Sequence, residues 1–83
     1  GYKMKAIVNV FLKNGVLDSQ GKAVHHALGS HGFETVNDVR VGKQIIIELN
    51  EKDENVAKEK VAHMCEELLA NTVIEDYEIE LQA

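Results

Sequence analysis

The sequence predicts an α+β fold, a two-layer sandwich in which two helices lie on one face of an antiparallel sheet in the order β-α-β-α-β. Two segments alternate apolar and polar residues with a period of two, and a third is rich in β-forming side chains. The two segments between these three repeat apolar residues at helical spacing. The chain contains no proline and no repeated or low-complexity tract. Its 83 residues therefore predict one continuous domain over residues 1–83.

The first half of the chain predicts one strand and one helix. Residues 5–13 are rich in β-forming side chains, and an asparagine-glycine turn signal follows them directly. Asp18 is a good N-cap for a helix over residues 19–31, and Gly32 is a natural stop for that helix.

The second half predicts a strand, a helix and a final strand. Residues 36–49 and residues 73–81 have the two-residue period of strands. Between them, a capping Asp53 precedes a helix that ends near Asn71, and we expect Asn71 to act mainly as a cap. The apolar stripe of this helix consists of Val56, Ala57, Val61, Met64, Cys65, Leu68 and Leu69.

The length of the second strand raises a question of topology. Residues 36–49 would span roughly 46 Å if fully extended, whereas a compact chain of this size has a radius of gyration of about 12 Å. One solution is a hairpin at Gly42 and Lys43, which gives a ferredoxin-like βαββαβ fold. The other is a long, bent strand that pairs with a second subunit in a segment-exchanged dimer. Glycine followed by lysine is a weak hairpin signal, which favours the dimer.

Composition excludes several classes of function. Fourteen acidic residues against nine basic ones give a net charge of -5, which opposes binding to nucleic acid or to an anionic membrane. A single cysteine permits no intrachain disulfide. No apolar run approaches the ~18 to 20 residues of a membrane span, and the first residues lack the apolar run of a signal peptide. These observations favour a cytoplasmic protein.

No group of side chains with the spacing of a catalytic or metal site stands out. His25 and His26 are adjacent and point about 100° apart on a helix, while His63 and Cys65 point to nearly opposite sides. Cys65 belongs to the apolar stripe, where cysteine is usually a small, inert core residue. We therefore expect no catalytic residue and no metal site in this chain.

Two cations flank a glycine near the middle of this acidic chain: Arg40, Gly42 and Lys43. One interpretation is an exposed bend with solubilising charges. The other is a patch that docks onto a partner or contacts an anion. The residues themselves are compatible with both interpretations.

Three blocks resemble a known family: residues 17–24 (LDSQGKAV), 39–43 (VRVGK) and 67–77 (ELLANTVIEDY). The chain resembles the small PurS-type subunits of phosphoribosylformylglycinamidine synthase over residues 3–81. The resemblance implies a role in the fourth step of de novo purine synthesis, in which the whole complex uses glutamine, ATP and Mg. It also implies a subunit without an active site or a cofactor of its own.

In that family, a glutaminase subunit releases ammonia and a large synthetase subunit uses it, while a dimer of small subunits bridges the two and supports ammonia transfer. The family fold is an α+β sandwich with an exchanged segment between protomers. On this basis we expect Arg40, Gly42 and Lys43 to lie at the interface with a partner subunit or the dimer mate.

Two other classes of function are alternatives. A regulatory module of the ACT type shares the βαββαβ order and would cradle an amino acid in the loop that contains Asn14 and Gly15. A small stand-alone enzyme would need an acid, a base or a nucleophile that converge in a pocket. Tight binding of a free amino acid would favour the first class, and activity of the isolated chain would favour the second.

Overall fold

The computed structural model of the chain describes residues 4–82. The two ends of the expected single domain, residues 1–3 and residue 83, lie outside the described residues, as does most of the segment on which the expectation about a signal peptide rests. The elements are β1 (Met4–Leu12), α1 (Ser19–Ser30), β2 (Lys43–Leu49), α2 (Glu54–Met64) and β3 (Glu75–Gln82). One π-helical turn, Cys65–Leu69, continues α2.

The three strands form one antiparallel sheet with β1 in the centre, in the order β2-β1-β3. Val8 lies opposite Ile45 on one side and Ile79 on the other, so the apolar positions of the three strands share one face. We call this the inner face. On β1 its side chains are almost completely buried: Met4, Ala6, Val8 and Val10.

The core lies between this inner face and α2. Asp53 caps α2 by accepting hydrogen bonds from the N–H groups of Asn55 and Val56. The apolar stripe of α2 then buries Ala57, Val61 and Cys65 completely. The most extensive contact between α2 and the sheet is with β3, and the inner-face side chains of both edge strands are only partly buried.

The π-helical turn changes the predicted apolar stripe at its end. The N–H of Ala70 donates to the carbonyl oxygen of Cys65 at 3.0 Å, which closes the wider turn. Each residue of a π turn advances by a smaller angle than in an α-helix, so Leu68 is rotated away from the core. Its side chain is 83% exposed, and its assignment to the apolar stripe was wrong.

Helix α1 stands apart from this core. The main contacts between elements join β1 to both other strands and α2 to β3, and α1 makes no contact of similar extent. The chain measures 51 × 25 × 14 Å with a radius of gyration of 16.3 Å, compared with about 12 Å for a compact chain of this length. The expectation that the helices cover one face of the sheet thus describes α2 within a single chain, whereas α1 extends beyond it.

The β-α-β-α-β order is confirmed, and one of its predicted boundaries is corrected. The second strand begins at Lys43 rather than at residue 36, because residues 36–42 form no ladder with another described strand. The chain also makes no hairpin at Gly42, and residues 4–82 contain three strands rather than four. The ferredoxin-like alternative was therefore wrong, and the ACT-type interpretation loses the strand order on which it depended.

Candidate functional site

Residues 13–42 join β1 to β2, and we call them the arm. Asp18 holds the base of the arm together. Its Oδ1 accepts a hydrogen bond from the N–H of Gly21 at 2.8 Å, as the N-cap of α1, and its Oδ2 accepts one from the N–H of Val41 at 2.8 Å. The bonds from Val41 and Gly21 lower the pKa of the Asp18 carboxyl, and the nearby Arg40 guanidinium adds to the effect. A carboxyl group that stays ionised and bonded in this way suits a structural clasp better than proton transfer.

Arg40 ties the arm to the end of the central strand. Its Nη2 donates hydrogen bonds to the carbonyl oxygens of Leu12 at 2.8 Å and Lys13 at 3.4 Å. These carbonyls lie beyond the last paired position of β1 with β2, which is Val10. The guanidinium is exposed, so the side chain that we expect at a subunit interface is already held in place within its own chain.

Two glycines allow the arm to approach its neighbours closely. A Cβ atom on Gly21 would press against the carbonyl oxygen of Val39 and the Asp18 carboxylate. A Cβ atom on Gly42 would lie 2.8 Å from the carbonyl oxygen of Val10. Gly42 was predicted to form a bend. In the structure, this position requires glycine because the chain passes close beside β1.

The remaining predicted residues lie on either side of this region. Lys43 is exposed and opens β2 directly opposite Val10. Asn71 lies in the turn between α2 and β3, where its Oδ1 accepts a hydrogen bond from the N–H of Val73 at 3.2 Å. Ala70, not Asn71, occupies the C-cap position of the π-helical turn. The structure thus brings Asp18, Arg40 and Gly42 together at the end of β1 and places Asn71 in another loop.

Sequence reasoning missed one contact that shapes the arm. His25 was predicted to be a structural histidine rather than a metal ligand, but its partner was not predicted: its Nε2 donates a hydrogen bond to the carbonyl oxygen of Val36 at 2.9 Å. This bond fixes the start of the returning chain against α1. The sequence offered no signal for it, because the two residues belong to no common motif or periodic pattern.

A cavity of about 320 Å³ lies where the arm leaves the sheet. Its wall carries Asp18 and Asp38 together with Lys22 and Arg40, so the charges of its side chains balance. No histidine, cysteine, serine or threonine lines it. The cavity therefore lacks the hydroxyl, thiol and imidazole groups that most often act as nucleophiles, and the bonded carboxylate of Asp18 is poorly suited to act as a base at neutral pH.

The thiol of Cys65 is not placed for catalysis. Cys65 is completely buried, and burial together with the Glu66 charge raises the pKa of its thiol.

Within residues 4–82, no group of three or more His, Cys, Asp or Glu side chains could hold a metal ion. The absence of a cofactor remains a prediction. The same described part of the chain contains no helix long and apolar enough to cross a membrane.

The arm also leaves apolar side chains uncovered. Leu17 is 66% exposed, Phe33 is 58% exposed and Val24 on α1 is 42% exposed. On the inner face of β2, Ile45, Ile47 and Leu49 are only partly buried. Exposed apolar area of this extent on a small chain is typical of surfaces that bind other proteins. The fold and the site define a small α+β interaction module.

Comparison with known proteins identifies the family of this module. The family model for PurS, phosphoribosylformylglycinamidine (FGAM) synthase, matches residues 5–83. The chain is 51% identical to the PurS subunit of Bacillus subtilis phosphoribosylformylglycinamidine synthase, over 98% of this chain and 93% of that protein.

Solved structures agree with the sequence comparison. The crystal structure of Methanocaldococcus jannaschii PurS matches with a TM-score of 0.87 and 44% identity, covering 95% of each chain. A chain in the structure of PurLQS from Thermotoga maritima matches with a TM-score of 0.90 and 30% identity, covering 99% of this chain and 100% of that one. The chain belongs to the PurS family of phosphoribosylformylglycinamidine synthase subunits, which confirms the resemblance seen in its sequence.

Proposed function

We propose that this chain is the non-catalytic small subunit that bridges the glutaminase and synthetase subunits of phosphoribosylformylglycinamidine synthase, in the cytoplasm. The observation that carries the proposal is its match, over nearly its whole length, to a chain of the Thermotoga maritima PurLQS structure. The uncovered apolar side chains of the arm support a role in assembly. In this role the chain binds no cofactor itself, while the whole complex uses glutamine, ATP and Mg.

A bridge helps this chemistry because ammonia released into bulk water is protonated and diffuses away. Holding the two sites in one assembly keeps the ammonia concentration high where it reacts. The small subunit then contributes to glutamine-dependent turnover without touching a reacting atom. Arg40, Gly42 and Lys43 lie at its interface with a partner subunit or with its dimer mate.

The bridging unit is a homodimer in which each chain lends its arm to the other. Two observations support this part of the proposal. The arm carries Leu17 and Phe33 more than half exposed, and α1 makes no extensive contact with its own sheet. The β2 side of the inner face is only partly covered by α2. An arm with uncovered apolar side chains and an apolar sheet edge that is only partly covered complement each other across two copies.

The test is reconstitution with the glutaminase and synthetase subunits of the same organism, with and without ATP, Mg and glutamine. Size-exclusion chromatography is expected to show co-elution of all three chains. Omission of the small subunit is expected to abolish glutamine-dependent amidation while activity with added ammonia persists. Failure to co-elute under any of these conditions would contradict the proposal.

The interface residues are tested in the same assay. Arg40→Ala and Lys43→Ala are expected to weaken assembly and glutamine-dependent activity. Lys58→Ala, which removes an exposed cation from α2, serves as the matched control. If both interface variants behave like the control, the assignment of Arg40 and Lys43 to an interface is wrong.

A further inference from the structure

The segment between α2 and β3 carries apolar side chains that are far more exposed than those packed in the core. Leu68 is 83% exposed, Val73 is 82% exposed and Ile74 is 39% exposed. We call these three residues the apolar tip. Single exposed apolar residues are common on protein surfaces, but the two most exposed large apolar side chains of residues 4–82 both fall within the short segment 68–73.

The turn that carries the apolar tip is extensively hydrogen-bonded. The N–H groups of Ile74 and Glu75 donate to the carbonyl oxygen of Asn71 at 3.0 and 2.7 Å, and the N–H of Asn71 donates to Oε1 of Glu75 at 2.7 Å. The N–H of Lys13 donates to the carbonyl oxygen of Ile74 at 2.9 Å, which fixes the turn to the end of β1. A preorganised apolar surface loses little conformational entropy on binding.

The charges around the apolar tip indicate what kind of surface can cover it. Two carboxylates precede it in the chain and two follow it: Glu66, Glu67, Glu75 and Asp76. Within residues 4–82, Lys13 lies 3.9 Å from Asp76 and pairs with that one carboxylate. A second copy of this chain carries a net charge of -5, so it would meet the tip with charge of the same sign. A surface rich in Lys and Arg is complementary.

We propose that the apolar tip docks into an apolar pocket bordered by Lys or Arg side chains on one of the two larger subunits of the synthase complex. This inference rests on the proposed function and goes beyond it by assigning the contact surface. The arm and the apolar tip then have separate tasks. The arm joins two copies of the small subunit, and the tip joins the small subunit to a large one.

The experiment measures the affinity of the reconstituted complex by titrating the small subunit into the glutaminase and synthetase subunits. The test variant is the double substitution Leu68→Ser and Val73→Ser. It is expected to weaken assembly by at least about tenfold, as for loss of a central apolar anchor. The matched control is Ile46→Ser with Val56→Ser, which removes two exposed apolar side chains elsewhere. The control is expected to assemble like the wild type.

Each outcome either supports or overturns the inference. Wild-type affinity in the test variant, or an equal loss in the control, overturns it. Dissociation of the isolated small-subunit dimer by the test variant also overturns it, because the tip would then belong to the contact between copies. If the wild-type chain itself fails to assemble, the proposed function fails too. Should the double variant not fold, Glu67→Lys replaces it, and an unchanged affinity there overturns the basic pocket.

Discussion

The carboxylate of Asp18 accepts the N–H of Val41 at 2.8 Å, and this bond closes the arm into a unit. The same carboxylate caps α1 through Gly21, so one side chain fixes both the start of the helix and the return of the chain. A long connection without strand pairing would otherwise have many conformations. The arm is therefore preformed for whatever surface it meets.

The Asp18 clasp predicts a dependence of stability on pH. The pKa of Asp18 is lower in the folded chain than in the unfolded one, so the folded state binds fewer protons in the acid range. Its stabilising effect is thus present above the unfolded pKa and is lost as pH falls through the folded pKa. Asp18→Asn is expected to lower Tm by a few degrees at neutral pH and to flatten the fall in Tm below about pH 4.

Thermal unfolding followed by circular dichroism between about pH 3 and pH 7 measures this effect. Asp38→Asn is the matched control, because Asp38 lies in the same returning segment and accepts a bond only from the adjacent N–H of Val39. An Asp18→Asn variant with the wild-type Tm at neutral pH and the wild-type acid profile would show that the clasp contributes nothing to stability.

Local patterns predicted most of the fold. The β-forming residues of β1, the two-residue period of β3 and the caps at Asp18 and Asp53 lie within or beside single elements, so the sequence carries these signals directly. The path of residues 36–42 could not be read in this way. Alternating valines suggested a strand, but the partners of this segment are side chains from elsewhere, such as Asp18 and His25. Contacts between distant residues leave no periodic signal.

The candidate site was predicted in part for the same reason. Arg40 and Gly42 stood out because cations beside a glycine are unusual in an acidic chain. Their actual contacts, with the carbonyl oxygens of Leu12 and Val10, depend on how the arm folds back onto β1. The exposure of Leu68 depends on a π turn that shifts the helical period by a fraction of a turn, and an apolar residue at helical spacing gives no warning of it.

A second prediction concerns the close passage at Gly21. Gly21→Ala would place a methyl group against the Val39 carbonyl oxygen and the Asp18 carboxylate. We expect a loss of about 1 to 3 kcal/mol in the free energy of unfolding, as for other overpacked sites. Gly29→Ala, in the same helix, has no neighbouring atom within 4 Å of the new methyl group. It is expected to be neutral or to stabilise by up to about 1 kcal/mol.

Chemical denaturation of both variants measures this difference. Because each replaces glycine by alanine within α1, helix propensity cancels between them, and the difference reports the close approach. Equal free energies of unfolding for Gly21→Ala and Gly29→Ala would mean that the returning chain does not press on α1.

A third prediction concerns the reactivity of Cys65. Its side chain is completely buried in the core beneath α2, and its pKa is raised. Since the thiolate is the reactive form and must also be accessible, labelling should require opening of the fold. We expect a disulfide reagent at pH 8 to react with the native chain at least about a hundredfold more slowly than with the chain in guanidinium chloride. Rapid stoichiometric labelling of the native chain would contradict the burial of this thiol.

The last prediction tests the arm as the contact between two copies. Leu17 and Phe33 are 66% and 58% exposed in the single chain, and the proposed exchange would bury both against the partner's sheet. Replacing both by Ser removes apolar area from that contact, at about 25 cal/mol per Å², and is expected to raise the dimer dissociation constant by at least about tenfold. Analytical ultracentrifugation of the isolated chain over a range of concentrations measures that constant.

The control is the double substitution Leu68→Ser and Val73→Ser, which removes side chains of equal or greater exposure from the apolar tip. It should leave the mass of the isolated dimer unchanged, since the tip is assigned to a different partner. Because folding and dimerisation are coupled in an exchanged dimer, the arm variant should also have a lower Tm than the control at the same protein concentration. A dimer that survives the loss of Leu17 and Phe33 but dissociates with the control substitutions would reverse the assignment of the two surfaces.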